Sequence, residues 1–161
     1  MQLFLKGVWI AVLAAAVGGA AFAAVPVIFD TDMGNDVDDA LALAMLHTLA
    51  DRGECRLLGV TLTNANPQAV PYVRMVNAYY GRSSIPVGEA LRAISNGDKD
   101  NYLTAGLRAA PAVAGAKTES AVRLLRRLLA QSTQPVAIVQ VGFSTNLAAL
   151  LRSGADDLSP L

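Results

Sequence analysis

The sequence predicts an α/β fold, an open and mostly parallel sheet with helices on both faces. Short apolar runs that end abruptly in polar residues alternate with segments whose apolar residues recur every three or four positions. The predicted strands cover residues 25–29, 57–62, 85–87 and 136–141. Strands that alternate with helices in this way form parallel sheets covered on both sides, so the order of elements indicates the fold class.

The intervening helices are predicted from their apolar periodicity. In the first helix, an apolar stripe that we expect to face the core comprises Val37, Ala40, Leu41, Ala44, Met45 and Leu49. Gly53 can end this helix. Further helices are expected over residues 68–80 and 121–130, and Ser144 or Thr145 can cap a last one.

Residues 1–23 have the pattern of an export signal. Lys6 precedes an apolar run over residues 7–17, and Ala21-Phe22-Ala23 supplies the small residues at which signal peptidase cleaves. An uncleaved membrane anchor is the alternative, but the apolar run is shorter than the ~20 residues that span a bilayer. We therefore expect a periplasmic or secreted protein without stable membrane association, whose mature part, residues 24–161, forms one domain.

The charge balance excludes one class of partner. The chain has 13 Lys and Arg against 13 Asp and Glu, and loss of Lys6 changes that balance by one charge. No basic excess is available for the phosphate backbone, so no nucleic acid is expected as a partner. Cys55 is the single cysteine and cannot form a disulfide within the chain.

An acidic loop follows the first predicted strand and carries the strongest functional signal. Its carboxylates, within ten residues, are Asp30, Asp32, Asp36, Asp38 and Asp39. Ligands of open parallel sheets bind beyond the carboxyl ends of the strands, where Asn64, Asn66 and residues 142–146 would join this loop. Carboxylates crowded in a cleft repel one another, and a hard cation held by oxygen ligands, calcium rather than magnesium, would relieve that repulsion. The alternative is that these acids only cap the following helix.

Three segments carry a family resemblance. Residues 30–41, Asp-Thr-Asp-Met-Gly-Asn-Asp-Val-Asp-Asp-Ala-Leu, resemble the opening signature of inosine-uridine-preferring nucleoside hydrolases, and residues 59–66 and 139–148 resemble two later loops of that family in the same order. The resemblance implies a Rossmann-like nucleoside hydrolase fold, truncated, with residues 24–161 as its N-terminal part. It also implies a nucleoside or related ribosyl substrate and a place in purine or pyrimidine salvage.

The same resemblance implies roles for individual residues. Asp32 would be a Ca²⁺ ligand and the catalytic base, and Asp39 and the carbonyl of Val141 would be further Ca²⁺ ligands. Asp38 would bind a ribose hydroxyl, and Asn66 would contact the substrate. The group that protonates the leaving base would lie beyond residue 161, so the chain alone is expected to be inactive, and its exposed sheet edge could make it a homo-oligomer.

Several alternatives remain open at this point. The loop has two more residues between Gly34 and Asp38 than the commonest form of the family motif, so Asp36 could replace Asp38 at the sugar. A haloacid dehalogenase-type phosphohydrolase also begins with a strand and Asp-x-Asp, and a calcium- or sugar-binding module would keep the metal without catalysis. His47 is expected to be structural, and Tyr102 could stack on a base, although an ordinary loop position is the simpler expectation.

Overall fold

The computed structural model describes residues 23–90, 102–110, 113 and 117–155. Its elements in chain order are β1 (Val25–Thr31), α1 (Asp38–Asp51), β2 (Cys55–Leu62), α2 (Ala69–Tyr79), β3 (Val87–Glu89), α3 (Tyr102–Ala109), β4 (Glu119–Ser120), α4 (Ala121–Gln131), β5 (Ala137–Gln140) and α5 (Thr145–Arg152). The predicted export segment, apart from Ala23, lies outside the described residues. Among the residues that are described, no helix is long and apolar enough to cross a membrane.

The strands form one parallel sheet in the order β4-β3-β2-β1-β5. β1 lies between β2 and β5, with Phe29 opposite Val60 on one side and Val139 on the other. The parallel sheet predicted from the sequence is confirmed. The strand expected over residues 136–141 is the fifth and not the fourth, because the two-residue strand β4 is too short to produce a periodic signal.

Helices cover both faces of the sheet, as predicted. Phe29 is fully buried in a core that α1, α2 and α3 complete with Leu43, Val73 and Leu103. Its neighbour Ile28 is fully buried in a separate cluster built mainly from leucines of α4. Side chains alternate between the faces of a strand, so two adjacent residues of β1 belong to two different cores.

The prediction that one apolar stripe of the first helix faces the core is wrong for three residues of that stripe. Val37, Leu41 and Met45 are 54%, 66% and 59% exposed, whereas Leu43 and Leu46 are buried. α1 is apolar on most of its circumference, so its periodicity does not select the buried side. Val37 and Leu41 line a groove of about 590 Å³ together with residues of α2 and α3.

Helix α3 was not predicted. It has only eight residues and carries Gly106 in its interior, which weakens a helical pattern. The structure supplies the reason for that glycine, since a Cβ at this position would lie 2.7 Å from the ring of Tyr72. Packing against α2 therefore stabilises a helix that local preference does not favour.

Candidate metal and substrate site

Hydrogen bonds join the carboxyl ends of β1, β2 and β5. The side-chain amide of Asn146 donates to Asp30 Oδ1 at 2.7 Å and to the carbonyl of Leu62 at 3.1 Å. The hydroxyl of Thr63 donates to the carbonyl of Thr31 at 3.3 Å and accepts from the amide of Phe143 at 3.2 Å. The three polar loops expected to share one edge of the sheet are therefore held together there.

The loop after β5 lies directly against the start of the acidic loop. The amide of Val141 donates to the carbonyl of Asp30 at 2.9 Å. A Cβ on Gly142 would lie 2.4 Å from the amide nitrogen of Asp32 and 2.7 Å from the carbonyl carbon of Thr31. Only glycine permits this approach, which brings the Gly142 backbone beside Asp32, one residue after Val141.

Asp30 is a structural carboxylate. It is fully buried, and its Oδ1 accepts from the hydroxyl of Thr61 at 2.6 Å and from Asn146. Burial raises the pKa of Asp30, the two hydrogen bonds oppose that shift, and the charge of Asp32 adds to it. A haloacid dehalogenase would need this first aspartate as an accessible nucleophile, so its burial argues against that alternative.

Asp32 is the first residue of a tight turn in the acidic loop. The side-chain amide of Asn35 donates to Asp32 Oδ2 at 2.5 Å, and the Asn35 backbone amide donates to the Asp32 carbonyl at 3.3 Å. Gly34 is the third residue of this turn and has a φ of 111°, in the region that L side chains rarely adopt. The two added residues of the loop thus follow a turn that fixes one oxygen of Asp32.

Asp39 is buried at the start of α1 and accepts a hydrogen bond from the hydroxyl of Thr31. Burial raises the pKa of Asp39 to about 6, the hydrogen bond from Thr31 opposes this, and the charges of Asp32, Asp38 and Asp36 add to it. Repulsion among the carboxylates is therefore a property of the folded loop, as the sequence predicted.

Asp36 and Asp38 are both exposed, so burial does not decide between them as the sugar ligand. Asn66 is partly buried, and its Oδ1 accepts from the backbone amide of Gln68 at 2.9 Å. A Cβ on Gly34 would lie 3.2 Å from Nδ2 of Asn66, so the Asn66 amide borders the acidic loop. Beside it a cleft of about 540 Å³, large enough for a small molecule, extends to Arg74, Glu89 and Lys117.

The described residues contain no group of three His, Cys, Asp or Glu side chains arranged to hold a metal ion. The donors expected from the sequence are two carboxylates, Asp32 and Asp39, and a backbone carbonyl, that of Val141. All are hard oxygen donors, which suit calcium or magnesium. Burial is the main cause that raises the pKa of Asp39, and the neighbouring carboxylates add to it; a cation would offset both effects, so these residues fit such an ion.

Sequence reasoning missed the residues that support the site. Thr31 stands between two aspartates of the motif and was assigned no role, although it bonds Asp39. Asn35 and Asn146 bond Asp32 and Asp30. The short polar side chains next to the carboxylates in sequence were the available signal for Thr31 and Asn35. Asn146 was expected at this edge of the sheet as part of residues 142–146, but its bond with Asp30 was not predicted.

His47 is a structural residue, as expected. Its ring is fully buried, its Nε2 lies 2.9 Å from the side-chain oxygen of Asn77, and it stacks on Tyr80 with ring centroids 4.6 Å apart. Tyr102, which was considered for stacking on a base, is the first residue of α3 and bonds the acidic loop. Its hydroxyl accepts from the backbone amide of Gly34 at 2.9 Å.

Comparison with known proteins identifies similar sequences and a similar fold. The profile of the inosine-uridine preferring nucleoside hydrolases matches residues 27–159. The pyrimidine-specific ribonucleoside hydrolase RihA of Citrobacter koseri is 31% identical over 139 residues, an alignment that covers 81% of this chain and 43% of the relative.

A solved structure, that of the inosine-uridine preferring nucleoside hydrolase from Bacillus anthracis, has the same fold. It matches with a TM-score of 0.60 and 21% identity over 79% of this chain and 45% of the neighbour. The chain thus spans less than half the length of either protein.

Proposed function

The chain belongs to the inosine-uridine preferring nucleoside hydrolase family, and on that premise we propose that it supplies the metal-binding and water-activating part of a site that hydrolyses the N-glycosidic bond of ribonucleosides. The observation that carries the proposal is the network that joins Asp39, Thr31, Thr63 and Phe143. It links the acidic loop to the loops after β2 and β5.

Asp32, Asp39 and the carbonyl of Val141 are the groups that would hold calcium. Bound there, the ion supplies positive charge that offsets the carboxylates and lowers the pKa of the attacking water. Asp39 lies at the N-terminus of α1, where the helix dipole also favours negative charge. The mixture of side-chain and backbone oxygens is typical of calcium sites.

In the reaction, water attacks the anomeric carbon of ribose while the bond from that carbon to the base nitrogen breaks. Asp32 accepts the proton of the water, and the hydrogen bond from Asn35 leaves the other Asp32 oxygen for that task. Asp38 and Asn66 hold the sugar and fix its position relative to the water. The products are ribose and the free base.

Protonation of the departing base needs a further group. His47 is the single histidine, and its burial against Asn77 removes it from the cleft. We therefore propose that these 161 residues alone do not turn over nucleosides at an enzymatic rate, since general acid help is typically worth ~10²- to 10⁴-fold. Because His47 is buried and cannot protonate a leaving base in the cleft, a second candidate function is also favoured, a calcium- or sugar-binding module without catalysis.

Ribose release from inosine and uridine tests the proposal. A reducing-sugar assay would compare the 161-residue chain, a form extended to the length of the family's domain and the extended form with Asp32→Asn. Calcium-dependent turnover is expected only in the extended form with Asp32 intact. Turnover by the 161-residue chain would contradict the proposal that it is inactive alone. Unimpaired turnover by the Asp32→Asn form would show that Asp32 is not the catalytic base. An extended form that binds calcium but is inactive would favour the binding module.

Calorimetric titration tests the metal site by itself. Calcium binding to the 161-residue chain is expected to be weak and to be lost in Asp39→Asn, which keeps an acceptor for Thr31 but removes the charge. Asp51→Asn, at the exposed far end of α1, is the matched control and should bind as the wild type does. Equal binding by the two variants would contradict the assignment of Asp39.

Export is proposed from the sequence alone. The charged start, the apolar run and Ala21-Phe22-Ala23 support cleavage after Ala23. N-terminal sequencing of the protein from its own host should find Ala24 as the first residue. A protein that begins at Met1 and stays in the cytoplasm would refute the proposal.

A further inference from the structure

Helix α3, which the sequence did not predict, contacts both the acidic loop and the loop that carries Asn66. From its first residue, the hydroxyl of Tyr102 accepts from the amide of Gly34 at 2.9 Å and donates to Met33 Sδ at 3.4 Å. One half-turn further, Thr104 donates to the side chain of Gln68 at 2.6 Å. α3 is therefore bonded to the acidic loop and to the loop that carries Asn66.

The contact at Gly34 is both polar and close-packed. A Cβ on Gly34 would lie 2.8 Å from Cδ1 of Leu103, so the Leu103 side chain packs directly against the turn. Met33 and Leu103 are fully buried, and the ring of Tyr102 meets that of Tyr72 edge to face, with centroids 5.5 Å apart. The ring of Tyr102 is thus held by packing within the fold, and its hydroxyl contacts the turn.

We propose that Tyr102 is a positioning residue whose hydroxyl holds the turn at Gly34 and, through that turn, the placement of Asp32 relative to Asp39. The inference rests on the proposed function for its purpose, but the anchor itself is a property of the folded chain. The acidic loop departs from the commonest family motif by two added residues between Gly34 and Asp38, and these lengthen the connection from Asp32 to α1. A longer connection has more conformations to lose, and an anchor at Gly34, just before the added residues, removes many of them.

The anchor predicts a difference between two tyrosines of one aromatic pair. Tyr102→Phe removes the hydroxyl that bonds Gly34, while Tyr72→Phe removes a hydroxyl from the partner ring without touching the loop. In the 161-residue chain, hydrogen exchange at the Gly34 amide should accelerate roughly tenfold in Tyr102→Phe, because local opening no longer breaks that bond. Tyr72→Phe should exchange as the wild type does.

Calcium affinity is the second measurement, because a purely structural role of the Tyr102 hydroxyl would not selectively weaken calcium binding. Tyr102→Phe should bind calcium several-fold more weakly than Tyr72→Phe, while both variants unfold at similar denaturant concentrations. Unchanged exchange at Gly34 in Tyr102→Phe would overturn the anchor. Faster exchange with unchanged calcium affinity would contradict the proposal that Tyr102 positions Asp32 relative to Asp39. If the wild type binds no calcium, the proposed metal site fails, and exchange at Gly34 still decides whether Tyr102 holds the turn.

Discussion

The hydroxyl of Thr31, at the end of β1, donates to the carboxylate of Asp39, in the first turn of α1. The same oxygen accepts from the amide of Met33 at 3.1 Å. One buried hydroxyl therefore ties both ends of the acidic loop to the strand from which the loop departs. Both residues are buried, so the bond is shielded from water.

Thr31→Val, which keeps the shape and removes the hydroxyl, should destabilise the protein. Asp39 and the Met33 amide lose a partner in a buried setting, which typically costs about 1–3 kcal/mol. Urea unfolding would measure the change. Thr48→Val is the control because the hydroxyl of Thr48 bonds only a carbonyl on the exposed side of α1. Equal losses in the two variants would contradict a special role for Thr31.

Gly142→Ala should distort the edge of the sheet. The added carbon would lie 2.4 Å from the backbone nitrogen of Asp32, so backbone must shift, at a cost of about 1–3 kcal/mol or more. Calcium affinity should fall with it. Gly154→Ala is the control, since a Cβ there has nothing within 4 Å. A Gly142→Ala protein with wild-type stability would show that the loops do not touch in solution.

Two leucines of α1 should differ strongly in their response to the same substitution. Leu43 is fully buried, so Leu43→Ala should cost about 2–5 kcal/mol. Leu41 is 66% exposed, so Leu41→Ala should change the free energy of unfolding by no more than about 0.5 kcal/mol. Chemical denaturation of both variants would check this. A large loss at Leu41 would mean that its groove is covered in solution.

His47 should make the protein less stable in acid. Burial is the main cause that lowers its pKa from 6.5, while the hydrogen bond with Asn77 opposes the shift. The folded state therefore binds the His47 proton more weakly than the unfolded chain does. This contribution to stability is fully present above pH 6.5 and is lost as the pH falls toward the lower folded pKa.

Comparison with His47→Gln isolates that effect. Urea unfolding from pH 7.5 to 5 should show a steeper acid loss in the wild type, by up to about 1.4 kcal/mol per pH unit. Asp39, whose pKa is raised to about 6, acts in the opposite direction, but it is present in both proteins and cancels from the difference. Parallel pH profiles would show that His47 does not titrate on unfolding.

The sequence by itself determined the fold class and indicated the edge of the sheet at which the candidate site lies. Apolar runs such as residues 57–62 identify strands that are buried on both faces, and the acids after β1 stand out because so many charges rarely follow a buried strand. Both signals are local, and a parallel sheet necessarily gathers its loops at one edge. The positions of Asp32, Asp39 and Asn66 relative to the strands therefore follow from the sequence.

Tertiary structure decided which faces are buried and which side chains support the acids. α1 has apolar residues on most sides, so only its packing against β1 and β2 could bury Leu43 and leave Leu41 exposed. The bond from Tyr102 to Gly34 spans 68 residues, and that from Asn146 to Asp30 spans 116. No local preference encodes such contacts, because they exist only once distant segments pack together and exclude water from the groups they join.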